Sequence, residues 1–314
     1  MKHRAMAICL SLILSLSFTA FAKDNKQKHR RAVTGTPMLW ADPGDVSTRD
    51  LFYGPGGQAM QPDLSHIRFI REETGGYSKK YRVEDGAGHV WVAKISKESQ
   101  SETAANRLLW AIGYPTEITY LVPEVTIEGK GTFKNVRFEA RPKEVKRLEN
   151  WMWATNPFYG SREFNGLKVM MVLIENWDIK DTNNRIVHVR NDETGSEELR
   201  YIISDLGGTF GKTGGVISRS RNNPEDYAKA KFIKGVKNGK VEFNYNGKRG
   251  DLFKDIKVED ARWVGEQLAR LSDQQINDAF RAANYSPEEI ALLSQAFKSR
   301  VSELVSLPQQ AAAQ

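Results

Sequence analysis

Asn176-Trp177-Asp178-Ile179-Lys180-Asp181-Thr182-Asn183 is the stretch on which the reading of this chain turns. An apolar run at helical spacing (Phe164, Leu167, Met171, Ile174) precedes it, and a short β-like run (Arg185 to Val189) follows. The eight residues therefore form a tight loop between a helix and a strand. Such a loop can present a carboxylate, an ammonium two residues later and an amide five residues after the carboxylate to one substrate. The plainer alternative for Asp178 and Asn183 is an Asx-rich turn, because both side chains favour turns through their own backbone hydrogen bonds.

Toward the C-terminus, a second apolar run, Leu199 to Ser204, ends in Asp205-Leu206-Gly207-Gly208. Asp178 and Asp205 with Asn183, on adjacent strand ends, make a hard-oxygen set suited to Mg²⁺ or Mn²⁺. Leu206 to Thr213 also approaches the P-loop pattern, but its first position is Leu206 and a polar loop follows where a P-loop needs a helix. Residues 212 to 257 carry twelve Lys or Arg against five Asp or Glu, with hairpin signals at Asn238-Gly239 and Asn246-Gly247. Most of these lysines read as a solvated face. Three helices close the chain: Val258 to Leu271, Asp273 to Ala283, and Pro287 to Leu304 with Ser286 as N-cap, Pro287 at N1 and Glu289 at N3.

Toward the N-terminus, the runs His66 to Glu72, Lys80 to Val83 and His89 to Ile95 are broken by Gly75-Gly76 and Gly86-Ala87-Gly88, which predicts a three-stranded antiparallel meander. Lys94 alternates in step with Val92 and Val90, so a buried face would force it to find a partner. A helix from about Ser99 to Ile112 carries Glu102 in its first turn. Two roles compete for that carboxylate: pairing with Lys94, or closing a capping box begun by Ser99. Two more strands, Ile118 to Ile127 and Phe133 to Ala140, complete five. The aromatic stretch Lys146 to Tyr159 reads as core packing.

At 314 residues the chain can bury one large core or two lobes. Lys2, His3 and Arg4, an apolar run from Ala5 to Phe21 and Ala20-Phe21-Ala22 read as a signal peptide cleaved after Ala22, with a retained anchor as the alternative. The expected address is the periplasm or the cell exterior. The single cysteine, Cys9, lies inside that segment, so the mature chain would hold no disulfide. It would keep 44 basic residues against 39 acidic ones, mixed along most of the chain, which excludes a nucleic-acid stripe. No second long apolar segment occurs, so no transmembrane segment is expected in a mature, monomeric chain. Residues 23 to 65, rich in Gly and Pro, read as an arm whose second half packs on the body through Met38, Leu39, Trp40, Leu51, Phe52 and Tyr53.

The order Lys94, Glu102, Asp178-x-Lys180-x-x-Asn183, Asp205-x-Gly207 resembles the protein-kinase-like superfamily, and in texture its atypical HipA-type and phosphoinositide-kinase-like branches. The stretches Asn156-Pro157-Phe158, Asn165 to Met171, Asn176 to Asn184 and Ser204 to Gly211 also look like a group of exported bacterial proteins. The kinase resemblance implies a bilobal α+β fold: a small antiparallel β lobe with one helix (66–142) and a larger, mainly helical lobe (143–308), followed by a tail (309–314). It further implies ATP with Mg²⁺ or Mn²⁺. Gly75, Gly76 and Ser78 would cover the phosphates, and Lys94 would pair with them and with Glu102. Asp178 would take the acceptor hydroxyl's proton, Lys180 would neutralise the moving phosphoryl group, and Asn183 with Asp205 would hold the metal. Glu139-Ala140-Arg141-Pro142 would be the hinge whose backbone reads adenine, and the acceptor a protein, lipid or small-molecule hydroxyl. The chain departs from the pattern in four places: no G-x-G-x-x-G, only eight residues from Lys94 to Glu102, which demands a short link between strand and helix, Asn176-Trp177 in place of His-Arg, and no A-P-E. A periplasmic binding or scaffold protein without phosphoryl transfer is the alternative function, and nucleotidyl transfer would use the same metal residues.

Overall fold

Alternation of side chains decides how the first half of the chain folds. In this computed structural model, residues 33–76, 78–192, 194–212 and 222–308 are described, and all of the following concerns the unit Thr34–Gln314. The expected leader with its cleavage after Ala22, the basic start of the arm, Thr213 and the tail 309–314 lie outside the described residues. A short strand, β1 (Thr36–Met38), is followed by β2 (Arg68–Glu72), β3 (Lys79–Glu84) and β4 (Val90–Ile95). Helix α1 (Ser99–Ala111) comes next, then β5 (Thr119–Ile127) and β6 (Gly131–Ala140). Strands β2 to β6 form one antiparallel sheet in the order β2-β3-β4-β6-β5.

One face of that sheet carries Tyr81, Val83, Trp91, Ala93, Tyr120, Val122, Val136 and Phe138, all buried in one apolar cluster. The strand period of two then sends Lys80, Arg82, Val92, Lys94, Arg137 and Glu139 to the other face. The sheet twists far enough for its two edges to meet, where Glu128 N–H donates to Ile67 O at 2.9 Å. The apolar face is thereby wrapped inside, and the charged face is turned toward α1 and the rest of the molecule.

The second half contributes β7 (Lys146–Arg147), α2 (Arg162–Leu173), β8 (Asn184–Arg190) and β9 (Glu197–Ile203). These are followed by α3 (Pro224–Lys229), β10 (Ile233–Lys237), β11 (Lys240–Phe243), α4 (Val258–Leu268), α5 (Asp273–Arg281) and α6 (Pro287–Val305). Helix α2 starts on the Ser161 side chain, which accepts from Phe164 N–H, and is buried from Phe164 almost continuously to Leu173. It lies close to α4 because Gly166 has no side chain: a Cβ there would come within 2.5 Å of the Trp263 ring. Ser286 and Glu289 close the capping box expected at the start of α6.

The arm is part of this body. β1 pairs in parallel with β9 at one edge of the sheet β1-β9-β8-β7. Trp40 Nε1 donates to Ile112 O at 2.6 Å, Ala41 N–H donates to Gly113 O, and Leu39, Val46 and Leu51 are buried in the larger core. Ala104, Ala105, Leu108 and Leu109 of α1 enter the same core. The chain is thus an α+β protein, with an antiparallel β part that carries one helix and a mainly helical part. Trp151 and Trp153 are buried as the aromatic stretch suggested, but Tyr159 is 69% exposed.

One local expectation needs correction. Asn238-Gly239 turns the β10–β11 hairpin with both residues at positive φ, but Asn246-Gly247 turns none. Gly247 is used for closeness instead, since a Cβ there would come within 2.5 Å of Trp177 Cα. Helix α3, with Asn223 as its N-cap, was hidden within the basic region. Among the described residues no helix is long and apolar enough to cross a membrane.

Candidate active site

Lys94 ends the charged face of β4 and is 2% exposed. Its Nζ lies 2.8 Å from Glu102 Oε2 on α1 and 3.4 Å from Asp205 Oδ1, just past β9. Three elements are joined through one ammonium. Helix α1 begins at Glu98 with no side-chain cap, and Ser99 Oγ donates to Lys94 O instead, so Glu102 serves Lys94 rather than a capping box. Burial alone would lower the Lys94 pKa, but the Glu102 and Asp205 carboxylates outweigh it and raise it above the ordinary lysine range. Burial likewise works to raise Asp205. Lys94 and the Gly207 N–H, 3.2 Å from Oδ1, outweigh it and hold the carboxyl below its usual range.

Asp178 forms a second group. Its Oδ2 lies 2.6 Å from Lys180 Nζ and its Oδ1 2.6 Å from Lys248 Nζ. Asn176 Oδ1 accepts from Asp178 N–H at 3.1 Å, and Asn183 Nδ2 donates to Asp178 O at 2.8 Å. The loop is therefore an Asx-rich turn in which Asp178 also gathers the Lys180 and Lys248 ammonium groups. Asn183 O accepts from Ser204 N–H at 2.7 Å, which sets the end of the loop beside the residue preceding Asp205. Trp177 N–H donates to Gly208 O at 3.0 Å and stitches the loop to the Asp-x-Gly-Gly turn.

The glycine turn lies at the exposed end of the β2–β3 hairpin. Gly75 and Gly76 are exposed, Gly76 has φ of 80°, and Gly75 O accepts from Lys80 Nζ at 3.1 Å. Ser78 Oγ turns to Ser96 Oγ at 3.3 Å. The expected hinge is corrected in one respect. Ala140 N–H donates to Ile118 O and Arg141 N–H to Val90 O, while Pro142 has no N–H. Its central donors are thus spent inside the fold. Leu206 to Lys212 does not behave as a P-loop either, because Gly207 and Gly208 make room for Glu98 and the Trp177 ring.

Several residues of the site gave no clear sign in the sequence. Glu98 lies 3.9 Å from Lys94 Nζ, and burial, against the pull of Lys94, raises its carboxyl with help from Asp205, Glu102 and Asp178. Its spacing of four from Lys94 was the one available hint. Arg137 Nε lies 3.2 Å from Glu102 Oε2 and its Nη2 2.9 Å from Glu139 Oε2. Glu139 also pairs with Arg141 and, at 3.5 Å, with Arg147. Arg147 pairs with Glu117 and reaches Ser204 Oγ at 2.6 Å. A chain of charges, buried at Lys94, Glu102, Arg137 and Glu139, thus runs from Asp205 through these four and Arg147 back to Ser204, beside its starting point.

No family model matches the chain and no curated protein matches it. Among solved structures, the Helicobacter pylori proinflammatory kinase CtkA is similar at 12% identity and a TM-score of 0.45, over 78% of this chain and 93% of that one. The Rio2 kinase complex with ADP/Mg²⁺ and phosphoaspartate from Chaetomium thermophilum is similar at 14% identity and a TM-score of 0.33, over 78% and 74% of the two chains. At such scores neither likeness carries a functional conclusion.

Proposed function

We propose that the chain is an exported, atypical kinase-like phosphotransferase that moves the γ-phosphoryl group of ATP to a hydroxyl of a protein, lipid or small molecule with Mg²⁺ or Mn²⁺. What supports this reading above all is the position of Lys94, buried between Glu102 and Asp205 and connecting the β sheet, α1 and the end of β9. A buried pair is costly to maintain for stability alone, whereas a lysine fixed between two carboxylates is oriented for a phosphate.

The donor set fits a nucleotide-bound Mg²⁺. Asp205 keeps its side chain 44% exposed, and Asn183 donates through Nδ2, which leaves Oδ1 as an oxygen donor. Among the described residues no three His, Cys, Asp or Glu side chains converge into a ready-made cage. Mg²⁺ commonly uses one or two protein groups and completes its shell with phosphate oxygens and water. When bound, the metal would neutralise charge on the phosphates.

The chain's own groups then have distinct tasks. Lys94 holds the nucleotide's phosphates, kept in place by Glu102. Asp178 accepts the proton of the acceptor hydroxyl as that oxygen bonds to the γ-phosphorus and the bridging bond to ADP breaks. Lys180, already 2.6 Å from Asp178, faces the charge carried by the transferring group.

The test is transfer of label from γ-labelled ATP, with Mg²⁺ or Mn²⁺, to the chain itself or to candidate hydroxyl acceptors. Label transfer by the wild type that falls by about a hundredfold or more in Asp178→Asn is the expected result. A specific observation favours the scaffold reading: the N–H groups of Ala140 and Arg141 are occupied within the fold. No transfer by the wild type to any acceptor, together with nucleotide-independent partner binding, would decide for the scaffold.

A further inference from the structure

Lys248 belongs to no motif and lies 70 residues beyond Asp178, yet its Nζ sits 2.6 Å from Asp178 Oδ1. With Lys180 on Oδ2, both oxygens of the carboxylate are taken by ammonium groups. An exposed pair of this kind contributes little, so the pair itself does not hold Lys248 in place. The backbone does.

Lys248 N–H donates to Trp177 O at 2.7 Å, and Tyr245 Oη donates to Asn176 O at 2.7 Å while lying 2.9 Å from Lys248 O. Tyr245 is fixed in turn against Phe253, edge to face at 4.6 Å. Gly247 fits against Trp177 only because it lacks a Cβ. On the opposite side, Trp177 is bonded to Gly208. Three segments are therefore stitched together: residues 245–248, the loop 176–183 and the turn after Asp205. The Lys248 backbone is thus fixed beside Asp178, while its side chain is 44% exposed and passes over the Trp177 ring at 4.9 Å.

We propose that Lys248 is a second phosphate-binding cation of the transfer site, one that exchanges its pairing with Asp178 for the terminal phosphate of a bound nucleoside triphosphate. This rests on the phosphotransferase reading above. Departure of one of the two cations would leave more of the Asp178 carboxylate to the acceptor hydroxyl, and a phosphate, with its higher negative charge, competes with the carboxylate for that ammonium. The move both frees Asp178 Oδ1 and places an ammonium opposite Lys180.

The experiment is calorimetric titration of the full-length chain with Mg·ATP and, separately, Mg·ADP, for the wild type and Lys248→Met, which keeps the aliphatic stem over Trp177. Loss of about tenfold in affinity for Mg·ATP with affinity for Mg·ADP unchanged is expected, as for removal of one charge-assisted contact to the terminal phosphate. If the wild type binds both nucleotides and the variant keeps the same ratio between them, or loses both equally, Lys248 only braces the loop and the proposal is overturned while the nucleotide site stands. If the wild type binds neither nucleotide, the proposal falls together with the reading it rests on. Lys248→Gln, measured in the same way, stands in should the methionine variant fail to fold.

Discussion

Glu102 is where two buried cations converge: its Oε2 lies 2.8 Å from Lys94 Nζ and 3.2 Å from Arg137 Nε. Removing one member of a buried ionic group costs more than the group as a whole contributes, because the remaining charge stays desolvated. Glu102→Gln takes one carboxylate from two buried cations at once, leaving Lys94 with Asp205 and Arg137 with Glu139, and is expected to cost about 3–5 kcal/mol in urea unfolding. Lys94→Met leaves Glu102 with Arg137 and should cost less. Equal losses in the two variants would mean that Arg137 does not compensate. The alternation of Val90, Val92 and Lys94 already placed the lysine on a face where it needed a partner, and a glutamate in the next helix was available. Arg137 could not be foreseen in that role, since its pairing depends on the register Lys94↔Arg137 between β4 and β6.

At the scale of elements, the strands and helices that sequence periodicity resolves best are those whose apolar residues all face one core. The five strands of the first sheet, α2 and α6 with its capping box fall where the pattern puts them. The loop 244–249 does not, because its contacts lie some 70 residues away in sequence. Asn246-Gly247 has the composition of a hairpin turn, yet what its glycine satisfies is the approach of Trp177. Gly247→Ala is therefore expected to destabilise by about 1–3 kcal/mol through overpacking. Gly235→Ala on β10, where an added Cβ would meet nothing within 4 Å, serves as the control and should change thermal unfolding far less. Similar shifts for the two would contradict the close packing of this loop on Trp177.

Over the whole molecule, the chain of charges links the β part to the strands β7 to β9. Within it, burial and the neighbouring Glu139 carboxylate push the Glu117 carboxyl up to about 7, against the pull of Arg147. A carboxyl whose folded-state pKa exceeds its unfolded value favours the folded state while protonated. Its contribution is complete below the ordinary value of 4.5 and is lost as the pH rises through about 7. The wild type should therefore unfold a few degrees higher at pH 6 than at pH 8, and Glu117→Gln should remove part of that difference. An identical pH dependence in the variant would show that Glu117 titrates normally. Composition gave no hint of this network, because each of its residues is an ordinary surface type until the fold buries it.

The proposed role of Lys94, Glu102 and Asp205 as one nucleotide site is tested most directly by thermal unfolding with and without ATP plus Mg²⁺ or Mn²⁺, in the wild type and in Asp205→Asn. A ligand that binds only the folded chain at a hundred times its Kd adds about 2.7 kcal/mol. A metal-dependent rise in the wild type, absent from Asp205→Asn while its unfolding temperature without ligand stays near that of the wild type, is the result expected. No rise in the wild type at millimolar nucleotide, or an equal rise in Asp205→Asn, would contradict it.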